Sequence, residues 1–476
     1  MRNIFLAGVS AGALLIAAPA LAQSNASTVS QTGAQGEVTV DQLGSSATST
    51  VNQGGSGNKA SVKQNGAGAE SEIVQDDGAG TGGNFSDDNN VADVTQNGDS
   101  TSYVRQANDD GRATVRQSGD LHYSRIQQLG DGDSGEVEQQ GFDNDSDIMQ
   151  SGDVNFANVA QGGSDNESDI AQTSGANQAI VDQTGIGNTS LITQQGVGFN
   201  TANVLQTGND NSSKITQGGL LNESGDVSDA TVRGVIQGGD RNESIINQKG
   251  GLQEAFVLQD GDEGYSYIDQ GGVIGADHDA TLIQRSGLDN YSDIVQRGYS
   301  QTAEVDQSGD HNVSDVFQGG DFGSDHLASV TQDGTSNAAS IEQRGQRQLA
   351  YIQQISGADS NRAVIDQGLN SAVDSYAAIT QTGANGYAYV LQRGDDQTAD
   401  VMQEGALNHS DVFQYGSGQT ATVFQGGVMN ESIITQSGAG HVASVSQFSD
   451  DNVSSVTQSG TGHRATVVQG SGAIGS

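Results

Sequence analysis

The sequence of 476 residues contains no cysteine, no tryptophan and a single proline, Pro19. The lack of cysteine excludes disulfide bonds, thiol nucleophiles and Cys-ligated metal centres. Only 33% of the residues are hydrophobic and 5% aromatic, which is too little for a thick globular core. Bases are also scarce, because 18 Lys and Arg stand against 59 Asp and Glu, for a formal net charge of −41. This acidity argues against nucleic acids and anionic membrane surfaces as partners.

The first 22 residues have the pattern of an export signal. Arg2 precedes an apolar stretch at 4–16, and Ala20-Leu21-Ala22 supplies the small residues of a cleavage site. The apolar stretch is too short to span a bilayer and no second candidate follows, so membrane insertion is not expected. The predicted domains are a signal peptide at 1–22, a repeat β-solenoid at 23–469 and a short Gly/Ser-rich tail at 470–476.

Glutamine recurs every eleven residues through most of the chain, and this repeat indicates the fold class. An aliphatic residue lies two positions before each such Gln, usually a small residue four before it and usually Asn or Gln six before it. These alternate positions share one face, which is the period of a β-strand. The small residue is usually Ser in one unit and Ala in the next. Two units therefore form one 22-residue repeat, and the 38 units form 19 repeats.

Two short strands and two turns per repeat predict an all-β fold, a two-sided β-solenoid of about 19 rungs with cross-β stacking. Stacking in register places Ser over Ser, Ala over Ala and Gln over Gln, so that buried amides can hydrogen-bond the amides above and below them. The predicted structural ladder comprises Asn25, Ser27, Val29, Gln31, Asn58, Ala60, Val62, Gln64, Asn155, Ala157, Val159, Gln161, Asn166, Ser168, Ile170, Gln172, Asn430, Ser432, Ile434, Gln436, His463, Ala465, Val467 and Gln469. The predicted turn glycines are Gly33, Gly66, Gly152, Gly334, Gly438 and Gly460.

Extended loops enter the repeat at 271–277, 319–325 and 368–374, and all three lie on one predicted edge. They form either a shared binding edge or the trace of a duplicated four-unit block. No catalytic or cofactor-binding residues are predicted, because no phosphate-binding loop, nucleophile elbow or His-Glu-x-x-His motif is present. His441 and His463 lie one rung apart, but histidine at this position is more simply a polar substitute for Asn, so no metal site is predicted.

The pattern Gln-x-Gly-x-x-Asn-x-Ala-x-x-x-Gln stands without substitution at 53–64 and recurs at 150–161 and 332–343. It resembles the repeat of curlins, the subunits of bacterial curli amyloid fibres, and the resemblance covers essentially residues 25–469. The resemblance implies export through an outer-membrane secretion pore and polymerisation at the cell surface from a nucleator subunit. It also implies a role in biofilm matrix and adhesion.

No atypical capping unit precedes Asn25 or follows Gln469, so we expect open solenoid ends that stack head to tail into a filament. The sequence therefore predicts a secreted structural subunit of an extracellular curli-like fibre, a homopolymer without cofactors and not an enzyme. The alternative is a soluble monomeric β-solenoid adhesin or a calcium-dependent surface-binding protein.

Overall fold

The computed structural model describes residues 24–75, 88–196, 198–220, 223–224, 234–368 and 372–470. Every regular element in these ranges is a β-strand, and parallel strands stack into a β-solenoid of about 18 turns, which confirms the predicted fold class. The chain forms two compact units, Met1–Leu220 and Leu221–Ser476. The predicted signal peptide and all of the predicted tail after Gly470 lie outside the described residues. No helix in the described part of the chain is long and apolar enough to cross a membrane.

The first unit contains seventeen of the described strands. They are β1 (Ala26–Gln31), β2 (Glu37–Gln42), β3 (Thr48–Gln53), β4 (Lys59–Gln64), β5 (Glu70–Gln75), β6 (Val91–Gln96), β7 (Thr101–Gln106), β8 (Arg112–Asp120), β9 (Tyr123–Gln128), β10 (Ser134–Phe142), β11 (Asp145–Gln150), β12 (Phe156–Ser164), β13 (Glu167–Gln172), β14 (Gln178–Ile186), β15 (Thr189–Gln195), β16 (Thr201–Gln206) and β17 (Ser212–Leu220). Each strand pairs in parallel with the second strand along the chain, so odd and even strands form two separate stacks.

The second unit contains twenty described strands. They are β18 (Glu223–Ser224), β19 (Val235–Gln237), β20 (Glu243–Gln259), β21 (Tyr265–Ser286), β22 (Tyr291–Gln296), β23 (Tyr299–Ser308), β24 (Val313–Ser324), β25 (Leu327–Thr335), β26 (Ala338–Gln346), β27 (Leu349–Asp359), β28 (Arg362–Gln367), β29 (Tyr376–Gln381), β30 (Tyr387–Asp395), β31 (Thr398–Gln403), β32 (His409–Ser417), β33 (Thr420–Gln425), β34 (Glu431–Ala439), β35 (Val442–Gln447), β36 (Val453–Thr461) and β37 (Arg464–Gln469). From β22 onward, strands again pair with the second strand along the chain.

The core of each unit is the narrow space between its two stacks. In β4 the side chains of Ala60, Val62 and Gln64 are buried, whereas those of Lys59 and Lys63 are exposed. This alternation follows from the period of two, because successive side chains of a strand point to opposite faces. One aliphatic and one small side chain per strand fill the core, which accounts for the low hydrophobic content.

Glycine is required in the turns for two reasons. Gly438 has a φ of +122°, a conformation that a side chain disfavours, and a Cβ on it would lie 2.0 Å from the carbonyl oxygen of Gly460 in the next coil. At Gly66, close approach alone is sufficient, because a Cβ there would lie 2.2 Å from the carbonyl oxygen of Gly98. Stacked turns are thus in backbone contact.

Several segments expected to be turns or loops continue the ladder instead. Gly334, Gly438 and Gly460 lie within β25, β34 and β36, whereas Gly33, Gly66 and Gly152 lie between strands. A loop was expected at 271–277, but this expectation was wrong, because the backbone there is part of strand β21. The extra residues shift the register of β21 relative to β20 between Lys249 and Gly251. Turns of equal length, such as those at Gly438 and Gly460, stack in register and hydrogen-bond as strands do, and at 271–277 the pairing resumes after the shift.

Candidate functional site

The glutamines that end the strands form hydrogen-bonded ladders inside each unit. The Nε2 of Gln139 donates to Oε1 of Gln161 at 2.9 Å, and that of Gln161 donates to Oε1 of Gln183 at 2.9 Å. The odd strands repeat the arrangement, as in the bond from Gln150 to Gln172 at 3.0 Å. In every described pair the donor lies one coil earlier in the chain than the acceptor. Each ladder therefore has one direction.

Each ladder glutamine also connects the two stacks. The Nε2 of Gln161 donates to the carbonyl oxygens of Asp145 at 2.9 Å and of Asn166 at 3.1 Å, while its Oε1 accepts from Gln139. A single side chain thus bonds the coil before, the coil after and the backbone of the opposite strand. Only an amide of this length supplies both a donor and an acceptor here, which explains the invariant use of Gln within this chain.

The asparagines six positions before Gln form a second ladder, which runs in the opposite sense. The backbone N–H of Asn166 donates to Oδ1 of Asn144 at 3.1 Å, and that of Asn188 donates to Oδ1 of Asn166 at 3.0 Å. Histidine can take the place of asparagine in this ladder. Nδ1 of His441 accepts a hydrogen bond from the backbone N–H of His463 at 3.2 Å, as Oδ1 of an asparagine does elsewhere. The two imidazole rings stack with centroids 5.2 Å apart.

The predicted ladder residues fall into two groups. Those of inner strands are buried: Asn58, Ala60, Val62, Gln64, Asn155, Ala157, Val159, Gln161, Asn166, Ser168, Ile170, Gln172, Asn430, Ser432, Ile434 and Gln436. Those of the outermost described strands are exposed or half-buried: Asn25, Ser27, Val29, Gln31, His463, Ala465, Val467 and Gln469. Identical sequence patterns thus have different environments, because each outermost strand has a described neighbour on one side only.

The exposed group defines two open edges. Val29 in β1 is 41% exposed, whereas its stacking partner Val51 in β3 is 0% exposed. The backbone N–H groups of Ala26 and Thr32 donate to the carbonyl oxygens of Ala47 and Gln53. Alternate residues of a parallel strand direct their backbone groups to the same neighbour. The backbone groups of Ser27, Val29 and Gln31 therefore point away from β3, outward from the edge of the stack. Such an edge can pair with another strand.

Asp133 is a buried carboxylate that the sequence analysis missed, although it lies six residues before Gln139, where Asn is usual. Its Oδ1 accepts from the backbone N–H of Asn155 at 2.9 Å, and its Oδ2 accepts from the N–H of Gly130 at 3.1 Å. Burial raises the pKa of Asp133 to about 6, and these hydrogen bonds only partly oppose the effect. Counting six residues back from each Gln would have found it.

Replacing Asp133 by Asn is expected to stabilise the protein at neutral pH. The pKa of Asp133 in the folded state is above its ordinary value of 3.8, so ionisation costs stability above about pH 6, and this cost disappears as the pH falls toward 4. After allowing for the hydrogen bond from Gly130, the gain at pH 8 is about 1–2 kcal/mol. Urea unfolding at pH 8 and pH 4 measures it.

The control for this prediction is Asp131→Asn, which changes an exposed carboxylate two residues earlier. It is expected to alter stability by less than about 0.5 kcal/mol. Equal gains from the two variants, or a loss from Asp133→Asn at pH 8, would contradict an intrinsic cost of the buried carboxylate.

The outward faces carry acids stacked on acids. Asp145 lies beside Glu167, and Asp147 beside Asp169, in the register of β11 and β13. Burial and then the charges of Glu167, Asp169 and Asp147 raise the pKa of Asp145 to about 6. Such acids oppose close packing of one sheet on another, which is the role of gatekeeper residues.

No group of three or more His, Asp or Glu side chains in the described ranges could hold a metal ion. The open edges can bind strands of matching pattern. Fold and ladders together define a β-solenoid repeat protein with amide ladders in its core.

Comparison with known families identifies the repeat. The curlin associated repeat matches residues 141–173, 163–196, 300–334 and 374–405. The chain thus carries curlin associated repeats in both units, and the resemblance inferred from the sequence is confirmed. No curated protein matches the chain. Both the repeat and the fold are structural rather than enzymatic in kind, and the repeat suggests an extracellular or surface protein.

Proposed function

We propose that this chain is a secreted structural subunit of an extracellular curli-like amyloid fibre, in which copies polymerise by templated head-to-tail stacking of open solenoid ends. The fibre serves in biofilm matrix and adhesion, and its subunit is not an enzyme. The observation that carries the proposal is the pair of open edges, where positions that are buried in inner strands are exposed or half-buried in β1 and β37.

The direction of the ladders makes the two edges complementary. At the first edge, Oε1 of Gln31 is the acceptor end of its ladder, since its Nε2 already donates to Gln53. At the last edge, Nε2 of Gln458 bonds a backbone carbonyl but no later glutamine among the described residues. A second copy stacked in sequence would extend the ladder from Gln458 to its own Gln31. Like edges would instead bring together donors with donors or acceptors with acceptors.

The proposal is tested with purified residues 23–476, diluted rapidly from denaturant. Electron microscopy is expected to show uniform filaments, and fibre diffraction a reflection near 4.7–4.8 Å along the fibre axis. Templated addition further requires that preformed filaments shorten the lag when added as seeds.

Discrete particles that stay soluble at high concentration and ignore seeds would contradict polymerisation. That result would mean that the edges are protected, and it would favour the soluble adhesin or the calcium-dependent surface-binding protein. Adding calcium to the soluble particles, with magnesium as the control, would then separate those two.

A further inference from the structure

We propose that copies of this chain join in one fixed register, in which Glu37 of one copy forms an ion pair with Arg464 of the next. The proposal rests on the proposed function, since it specifies the joint between subunits. The partner is a second copy of this chain, and the joint is formed by the strands at the two open edges: β1 and β2 at the first, β36 and β37 at the last.

The register follows from a rule that the described ladders obey. Strands pair so that residues at the same distance from the terminal Gln lie side by side, as Val442 does with Arg464 and Glu37 with Lys59. Ser-bearing strands mostly stack on Ser-bearing strands in one stack, and Ala-bearing strands on Ala-bearing strands in the other, although Ser314 pairs with Ala339 and Ala388 with Ser410. Continuing the last coil places β1 of the next copy on β36 and β2 on β37. Glu37, five residues before Gln42, then meets Arg464, five residues before Gln469.

The charges on these four strands fit this joint. The outward residues of β1 and β36 are all uncharged: Ala26, Thr28, Ser30, Val453, Ser455 and Thr457. On the other stack, Arg464 is the sole basic residue of β37, and it takes part in none of the ion pairs found among the described residues. Inner coils, by contrast, stack acid on acid at Asp145 and Glu167. At the joint, the facing strands β1 and β36 thus carry no outward charge, while β2 and β37 bring an acidic and a basic residue together.

Ion pairs in this register already form between coils of one copy. Glu37 lies 3.9 Å from Lys59 in the adjacent strand, and Arg241 bonds Glu263 one coil later. In the joint, Glu37 would have a base on each side. Stacking β2 on β36 instead would place Glu37 beside Val453 and Val38 over Ser454, which loses the ion pair and mixes the two columns of small residues. The ion pair therefore favours stacking of β2 on β37 over stacking of β2 on β36.

Charge reversal tests the joint by seeded elongation at low salt. Arg464→Glu and Glu37→Arg each place like charges at every joint, and each is expected to elongate about threefold to tenfold more slowly than wild type. The double variant restores opposite charges at the joint and is expected to elongate within about threefold of wild type, because the new arginine at position 37 still lies beside Lys59 of its own copy. An equimolar mixture of the two single variants is also expected to recover, because copies of the two variants that alternate along the filament place an acid beside a base at every joint.

Arg112→Glu is the matched control. Arg112 is exposed and occupies the same position of the same stack, five residues before Gln117, but it lies on an inner strand between Val91 and Ser134. Arg112→Glu changes the charge by the same amount as Arg464→Glu and is expected to leave elongation within about twofold of wild type. The differences should shrink at about 0.5 M salt, where charges are screened over a few ångströms.

The outcomes separate this proposal from the proposed function. Wild-type elongation by the two single variants, slow elongation that neither the double variant nor the mixture relieves, or an equal effect of Arg112→Glu overturns the ion pair and leaves polymerisation standing. If the wild-type chain forms no filaments at all, the proposed function and the joint fall together.

Discussion

Gln194→Glu is expected to destabilise the solenoid by about 3–5 kcal/mol at neutral pH, whereas Gln195→Glu is expected to change stability by less than about 0.5 kcal/mol. The two residues are neighbours in β15, but Gln194 is buried and Gln195 is exposed. The same substitution therefore introduces the same charge at two sites that differ only in their environment.

The effect at Gln194 follows from its hydrogen bonds. Its Nε2 donates to Oε1 of Gln217 at 2.8 Å and to the carbonyl oxygens of Gln178 at 2.9 Å and Asn200 at 3.0 Å. A carboxylate would direct an unprotonated oxygen at these three acceptors, and its buried charge would keep one hydrogen bond, from Nε2 of Gln172, with no opposite charge beside it. Desolvation would raise the pKa of the new carboxyl, so the loss should become smaller as the pH falls toward 4.

Amide hydrogen exchange in β13, β15 and β17 provides the local measurement, and the urea midpoint provides the global one. Since each coil of a repeat protein contacts only its neighbours, faster exchange should be concentrated in these three strands and their partners in the same coils. Equal effects of the two substitutions, or an effect of Gln194→Glu that does not depend on pH, would show that the ladder does not need a donor at this site.

Val29→Pro is expected to stop filament growth while leaving the isolated chain folded. The backbone N–H of Val29 points away from β3, outward from the open edge, so proline removes no hydrogen bond found among the described residues. It does remove a donor that the joint requires, and the proline ring obstructs an approaching strand. We expect elongation at least about tenfold slower than wild type, as for other strand edges protected by proline.

The control is Val29→Ala, which retains the N–H and removes apolar surface from a side chain that is 41% exposed. It should slow elongation by only a few fold. A sharper test adds Val29→Pro chains to wild-type seeds together with wild-type chains. A Val29→Pro chain can still offer its last coil, so one molecule can add at the first edge of a seed and block further growth there. Growth at wild-type rates by Val29→Pro alone would contradict pairing through β1.

The sequence was sufficient to predict which residues share a face and where some of the strands end. β3, β4 and β5 each end at the glutamine that the eleven-residue period indicates, because the period of two leaves one choice of buried face. It was not sufficient for strands such as β8 and β10, which continue three residues past their glutamine, or for β20 and β21, which run through whole predicted turns. Glycine after Gln indicates a change of direction, but it does not indicate that stacked turns also pair with one another.

Two properties of the ladders could not be predicted because they depend on neighbouring coils. Gln contains a donor and an acceptor at nearly the same position, so the pattern alone does not give the direction of a ladder. Likewise, Asn25 and Asn58 have the same place in the repeat, but Asn25 is half-buried and Asn58 is buried. The difference lies in the coils beside them and not in the units themselves.

The identity of successive coils has a consequence for how such a chain can evolve. Removing residues 140–161 would join Gln139 to Gly162, and every remaining ladder glutamine would keep its place in the repeat, since that segment is one 22-residue period. Recombination between repeats can therefore lengthen or shorten the gene in steps of 66 base pairs without creating a new core. Selection can then act on subunit length as a trait separate from folding, provided that the first and last coils are retained.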